Sequence, residues 1–209
     1  GEPFYADISG RAEIGAVENP NFDCGPVSAR LDLVNASADL KRLDGSASFT
    51  AGPGRFAELY KLSERSRAAK VAVAPLAALQ KAGKAGRALG LPDLDNVNFE
   101  KIEGDYSFSK GAMKLNKSSL VSDAADASTT GAIDLPSGRL DLRAGIRLKK
   151  GSGASMTEPV TLTIKGTLDS PSVKPDIRSI AAQPAVQKAA DKLVPGASKL
   201  LKGLLKKKK

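Results

Sequence analysis

A chain of 209 residues, 41% of them hydrophobic, is long enough for one large domain or two small ones with a sizeable core. Aromatics make up only 4% and tryptophan is absent, so that core is aliphatic; histidine is absent too, which excludes imidazole acid–base catalysis, the serine and cysteine triads and the usual zinc sites. The net charge of +9 is held unevenly: residues 178–209 carry nine basic side chains against Asp191, residues 55–91 carry eight against Glu58 and Glu64, and the remainder is net acidic.

The single cysteine, Cys24, cannot close an intrachain disulfide and reads as a small buried side chain. No apolar run approaches the ~20 residues of a membrane-spanning helix. The chain opens Gly1-Glu2-Pro3 without methionine, and we read it as a soluble processed product or excerpt. Nothing calls for a metal or cofactor, and the expectation is a protein that is not an enzyme.

In chain order, alternating segments at 5–8, 11–17, 28–34, 36–43 and 45–50 read as strands, with Asp44-Gly45 as a turn. Gly52-Pro53-Gly54 closes this group. Residues 55–90 then read as a helical insertion, because Phe56, Leu59, Leu62, Ala69, Val73, Leu76 and Leu79 recur at spacings of three, four and seven; Pro75 kinks it and Gly90-Leu91-Pro92 ends it. Strands resume at 101–109, 112–116, 118–122 and 127–135, separated by Lys110-Gly111 and followed by the turn Pro136-Ser137-Gly138.

The clearest strands are 139–148 and 160–168, which read as an antiparallel pair joined by a long loop. Residues 177–205 read as helical, broken at Pro184 and at Val194-Pro195-Gly196, before four lysines. The expected fold is mainly β with helices: an antiparallel twisted sheet or groove of about ten strands, occupying 1–176 with the insertion at 55–90, followed by a basic amphipathic tail at 177–209.

An antiparallel sheet with one aliphatic face must cover it with helices, a second sheet or an apolar ligand. If cover is incomplete, an acyl-chain groove remains, lined by Leu31 and Leu33 on one side and by Leu140, Leu142, Ile146 and Leu148 with Val160, Leu162, Ile164 and Leu168 on the other. The competing reading is a closed core and an adaptor role. In the tail, Leu200, Leu201, Leu204 and Leu205 form a stripe flanked by Lys199, Lys202, Lys206, Lys207, Lys208 and Lys209, the pattern of a helix on an anionic membrane or an acidic protein partner. Nucleic acid is disfavoured, since no aromatic follows Phe108. Ser107-Phe108-Ser109-Lys110 matches the S-x-x-K pattern of acyl-transferring enzymes, but a strand sends positions three apart to opposite faces.

Seven segments stand in a distinctive order: Phe49-Thr-Ala-Gly-Pro-Gly54, Ala74-Pro75-Leu76, Phe99-Glu-Lys-Ile-Glu-Gly-Asp-Tyr106, Lys110-Gly-Ala-Met-Lys-Leu115, Gly131-Ala-Ile-Asp-Leu135, Gly138-Arg-Leu-Asp-Leu142 and Lys165-Gly-Thr-Leu-Asp-Ser-Pro171. Over about residues 45–180 this order resembles the C-terminal region of AsmA-family proteins of Gram-negative bacteria, which are similar in kind to the TamB-like proteins. The resemblance implies a periplasmic module of an envelope protein anchored in the inner membrane. It also implies a twisted β-groove related to bridge-like lipid transfer proteins, phospholipid movement between membranes or outer-membrane assembly as the role, and no catalytic residues.

Overall fold

Alternating segments with turn residues between them pair with their neighbours. The structure, a computed structural model, describes residues 4–58, 96–149, 158–184, 187 and 191. Their strands are β1 (Ala6–Ile14), β2 (Val17–Asn19), β3 (Phe22–Cys24), β4 (Val27–Ala36), β5 (Asp44–Ala51), β6 (Gly54–Phe56), β7 (Val97–Ser109), β8 (Ala112–Ser122), β9 (Ala125–Asp134), β10 (Arg139–Leu148), β11 (Val160–Thr167) and β12 (Pro171–Pro175), with a short helix α1 (Ile177–Ala181). All twelve strands form one antiparallel sheet in the order β1-β4-β5-β7-β8-β9-β10-β11-β12, with β2, β3 and β6 as a side branch joined to β7 through β6. β1 and β12 end the order without pairing to one another, so the sheet is open.

Register carries one face across the whole sheet, because directly opposed residues point the same way. One row runs Gly10, Leu31, Ala47, Tyr106, Leu115, Gly131, Leu142, Ile164, Val173. A second runs Ile14, Val27, Ala51, Ile102, Leu120, Ala127, Ile146, Val160. Between them the row shrinks to small residues at the centre of the sheet, with Gly104 opposite Ser118 and Thr129 opposite Ala144, between Phe49 on one side and Leu162 on the other. Burial is deepest at β10 and β11, where Leu140, Leu142, Ile146, Leu148, Val160, Leu162 and Ile164 are all buried, and it fades toward β1.

Two bulges interrupt β7 and β8. β8 is one strand where the alternation suggests two, because Asn116 is an extra residue: Leu115 faces Tyr106 and Lys117 faces Asp105. The bulge moves the apolar parity from Met113 and Leu115 to Ser118 and Leu120. Similarly, 5–8 and 11–17 are not the expected pair of strands; residues 6–14 are continuous as β1, and Val17 belongs to β2.

Three further expectations are corrected. Residues 37–43 are a loop, not a strand: Asn35 and Leu40 have φ of 56° and 57°, and Asp39 Oδ1 accepts bonds from the Ser37 hydroxyl and the Lys41 N–H. Asp44-Gly45 is not a turn but the start of β5. Gly45 has φ of 126°, and a side chain there would collide with the Asp32 carbonyl. Arg55 and Phe56 do not begin a helix but lie in β6, opposite Asn98 and Val97; the rest of the expected insertion, 59–90, lies outside the described residues. Lys110-Gly111 is a turn as expected, with φ of 50° and 76°, the geometry of a two-residue hairpin.

α1 is capped by Asp176, whose side chain accepts from Arg178 N. It is tied to β11 by a bond from Thr161 N to Ser179 Oγ (3.0 Å). Gln183, 1% exposed, donates from Nε2 to the carbonyls of Glu158 and Ser179. The helix ends three residues before Pro184, which disfavours helical backbone at the residue preceding it.

Candidate functional site

Between the two apolar rows, the small residues leave room that larger ones would fill. A cavity of about 390 Å³ opens over β7 to β11. Among the described residues its wall is aliphatic and aromatic: Ile102, Met113, Leu115, Leu120, Ile133 and Leu135 from the centre of the sheet, and Leu142, Ile146, Ile164 and Leu168 from its end, with Phe56 at one margin. Among the described residues the polar lining is Tyr106, Ser118, Ser119 and Thr129, and none of them is charged. A wall of this kind offers apolar contact with few directional partners.

Tyr106 borders a second cavity of about 460 Å³ that continues toward β1 past Ala47, Phe49, Ala29 and Leu31. The Phe49 and Tyr106 rings stack with centroids 6.2 Å apart, side by side between the two spaces.

A charged cluster around Glu103 lies on the opposite face. Glu103 receives Lys101 Nζ at 2.8 Å, Lys117 Nζ at 2.7 Å and the Ser119 hydroxyl at 2.9 Å. These bonds, Lys101 first and then Lys117 and Ser119, hold its carboxyl well below the ordinary range, at about 2. Ser119 therefore turns its hydroxyl away from the cavity.

Of the groove residues expected from sequence, Leu142, Ile146, Ile164 and Leu168 line the first cavity and Leu31 lines the second. Leu140, Leu148, Val160 and Leu162 are buried in the same core cluster without lining either space. Leu33 is half-buried opposite Gly45, in the row that reaches Leu140. The tail residues from Lys199 to Lys209 lie outside the described residues. Sequence reasoning missed Ile102, Met113, Leu115, Leu120 and Ile133, whose alternation is interrupted by bulges and by serine, threonine and glycine neighbours.

A smaller core lies beside β6, where Phe22, Phe56 and Phe99 meet at centroid distances of 5.0 to 5.8 Å. Cys24 is buried against this cluster, and burial pushes its thiol pKa up. Among the described residues, no three of His, Cys, Asp and Glu stand where they could hold a metal ion.

No family model, curated protein or solved structure matches the chain.

Proposed function

We propose that this chain is a lipid-handling module that holds an acyl chain of a phospholipid in the aliphatic cavity over β7 to β11. The observation that carries the reading is the cavity's lining: among the described residues an uncharged, aliphatic wall with only hydroxyls as polar groups, in an open sheet whose apolar rows continue beyond it. The sequence resemblance to the AsmA family agrees in kind. What that resemblance implies is a periplasmic module of a parent protein anchored in the inner membrane, acting in phospholipid transport or outer-membrane assembly. The lysine-rich tail fits contact with an anionic membrane surface.

A second reading, an adaptor with a closed core, draws on one observation. Ile146, Val160, Leu162 and Ile164 are at most 1% exposed, as in a finished interior. In that case the tail is the recruiting element, for an acidic protein partner or a membrane.

The two readings part on ligand content. Protein purified without detergent is extracted with organic solvent and the extract weighed by mass spectrometry, for the native chain and for Thr129→Leu. Thr129 lies over the small-residue row, so leucine fills cavity space without placing a charge in the core. The lipid reading expects an acyl lipid in the native extract and at least a tenfold lower content in the variant, with unchanged circular dichroism. A native extract free of acyl lipid overturns it in favour of the closed core.

A further inference from the structure

The two ends of the sheet are built differently. β12 is five residues long and bounded by Pro171 and Pro175, which withhold N–H groups from an incoming strand. β1 is nine residues long, contains no proline, and among the described residues nothing pairs with its outer edge. The apolar rows run out to it: Ile8 opposes Leu33 and Ile14 opposes Val27, yet both isoleucines stay 46% exposed, and Phe4 just before the strand is 84% exposed. An unblunted edge with an apolar face is a template for another strand.

The charges on β1 select the occupant. Its even positions lie on the apolar face, and its odd positions, Asp7, Ser9, Arg11 and Glu13, lie on the polar face. An antiparallel partner that keeps apolar against apolar must pair even with even. For a second copy of the same strand this leaves registers centred on a residue. Centring on Gly10 sets Asp7 against Glu13 twice, and centring on Arg11 sets two guanidinium groups against each other. Centring on Ala12 sets Arg11 against Glu13 twice but pairs only residues 10–14 of the strand, and centring on Ile8 opposes no pair of charges within it. Centring on Ser9 pairs residues 6–12, sets Asp7 against Arg11 twice and Ile8 against Gly10, and beyond the strand's start brings Phe4 opposite Ile14, with no like charges opposed.

From this we infer that the chain forms a two-fold dimer through the outer edge of β1, antiparallel, with Ser9 facing Ser9 of the second copy. Opposite charges directly across strands are favourable and like charges unfavourable, so a second copy in the Ser9 register combines the longer ladder with two favourable charge pairs. Arg11 already lies 2.8 Å from Glu13 on its own strand, so each arginine joins a three-charge cluster across the new ladder. Pairing also covers the exposed Phe4 and Ile14 with one another. The inference does not depend on whether the cavity holds lipid.

The test uses the full chain in sedimentation equilibrium at about 100 μM, because edge pairing of this size belongs with the weak interfaces. The native protein is expected to dimerise. Arg11→Asp, at a side chain 75% exposed and so dispensable for folding, is expected to weaken the dimer at least tenfold, and the swap Asp7→Arg with Arg11→Asp to restore it. Ser9→Cys is expected to cross-link as a dimer on oxidation, since directly opposed Cα atoms stand about 4.5 to 5.5 Å apart, within disulfide reach. Arg11→Cys is expected not to, its two copies lying about 13 Å apart in this register. The buried Cys24 serves as the background control. A monomeric native chain, a dimer indifferent to Arg11→Asp, or cross-linking at position 11 instead of 9 overturns the inference.

Discussion

The Tyr106 ring lies across Gly104, its hydroxyl and the Phe49 ring occupying the space where a side chain at position 104 would stand. Gly131 is also a strand glycine on the apolar face, but a Cβ there would meet backbone: the Asp141 carbonyl, and the Leu142 Cα at 2.9 Å. Its φ of 126° is closed to other residues as well. The neighbours decide the cost of substitution. Gly104→Ala should lose little more than the ring stack, about 1 kcal/mol, as Tyr106 swings aside. Gly131→Ala should cost about 3 kcal/mol or more, since neither the ladder nor φ can yield. Urea unfolding of the two variants gives the comparison; equal costs would contradict this account.

The bulge at Asn116 predicts which deletion the sheet tolerates. Removing Asn116 leaves Leu115 and Ser118 on the apolar face, because the parity step it creates disappears along with it. Deleting Lys114 instead drives the buried Leu115 to the outer face, at about 2 to 5 kcal/mol. The first protein should unfold cooperatively with a modestly lower midpoint, and the second should be expressed poorly or lack a sharp transition by circular dichroism.

The Glu103 cluster sets an acid limb. Because the folded-state pKa is depressed to about 2, the carboxylate contributes stability above its unfolded-state pKa, and that contribution is lost as pH falls from there through about 2. Glu103→Gln should therefore melt lower than the native protein at pH 7. The gap should narrow below about pH 4.5 and close near pH 2. A gap that does not change with pH would mean that Lys101, Lys117 and Ser119 do not favour the ionised form.

The basic tail calls for a vesicle experiment. Truncation after Asp191 should abolish sedimentation with vesicles containing anionic phosphatidylglycerol, because each lysine near such a surface contributes about 1 kcal/mol. Added salt should weaken binding of the intact chain. The truncated protein should keep its β-sheet circular dichroism. Equal binding by the intact and truncated chains would make the tail a solubilising extension.

The antiparallel pair of β10 and β11 was legible in the sequence because each carries an unbroken period-two run, from Leu140 to Leu148 and from Val160 to Ile164, with no bulge to shift the parity. β8 was read as two strands for the opposite reason: at Asn116 the alternation itself changes phase. Residues 37–43 alternate too, but positive φ at Asn35 and Leu40 and the local bonds of Asp39 override the pattern, and those are not visible in hydropathy. Phe56 fitted a helical stripe with Leu59 and Leu62, while its actual partners, Phe22 and Phe99, are distant in sequence. The centre of the cavity was hidden in the same way: Leu115 and Ile133 become a wall only when register sets Leu115 between Tyr106 and Gly131 and Ile133 between Met113 and Leu140.

The pairing of Phe56 with Val97 also orders the assembly in time. Bringing these two residues together closes a loop of roughly 40 residues, which costs about 2 kcal/mol more chain entropy than closing a four-residue turn. The links from β7 through β10 close short turns instead. That hairpin array can therefore form early and act as a template, while β5 and β6 dock onto β7 late. In pulsed hydrogen exchange during refolding, the amides of β8 and β9 should be protected before those of β5 and β6.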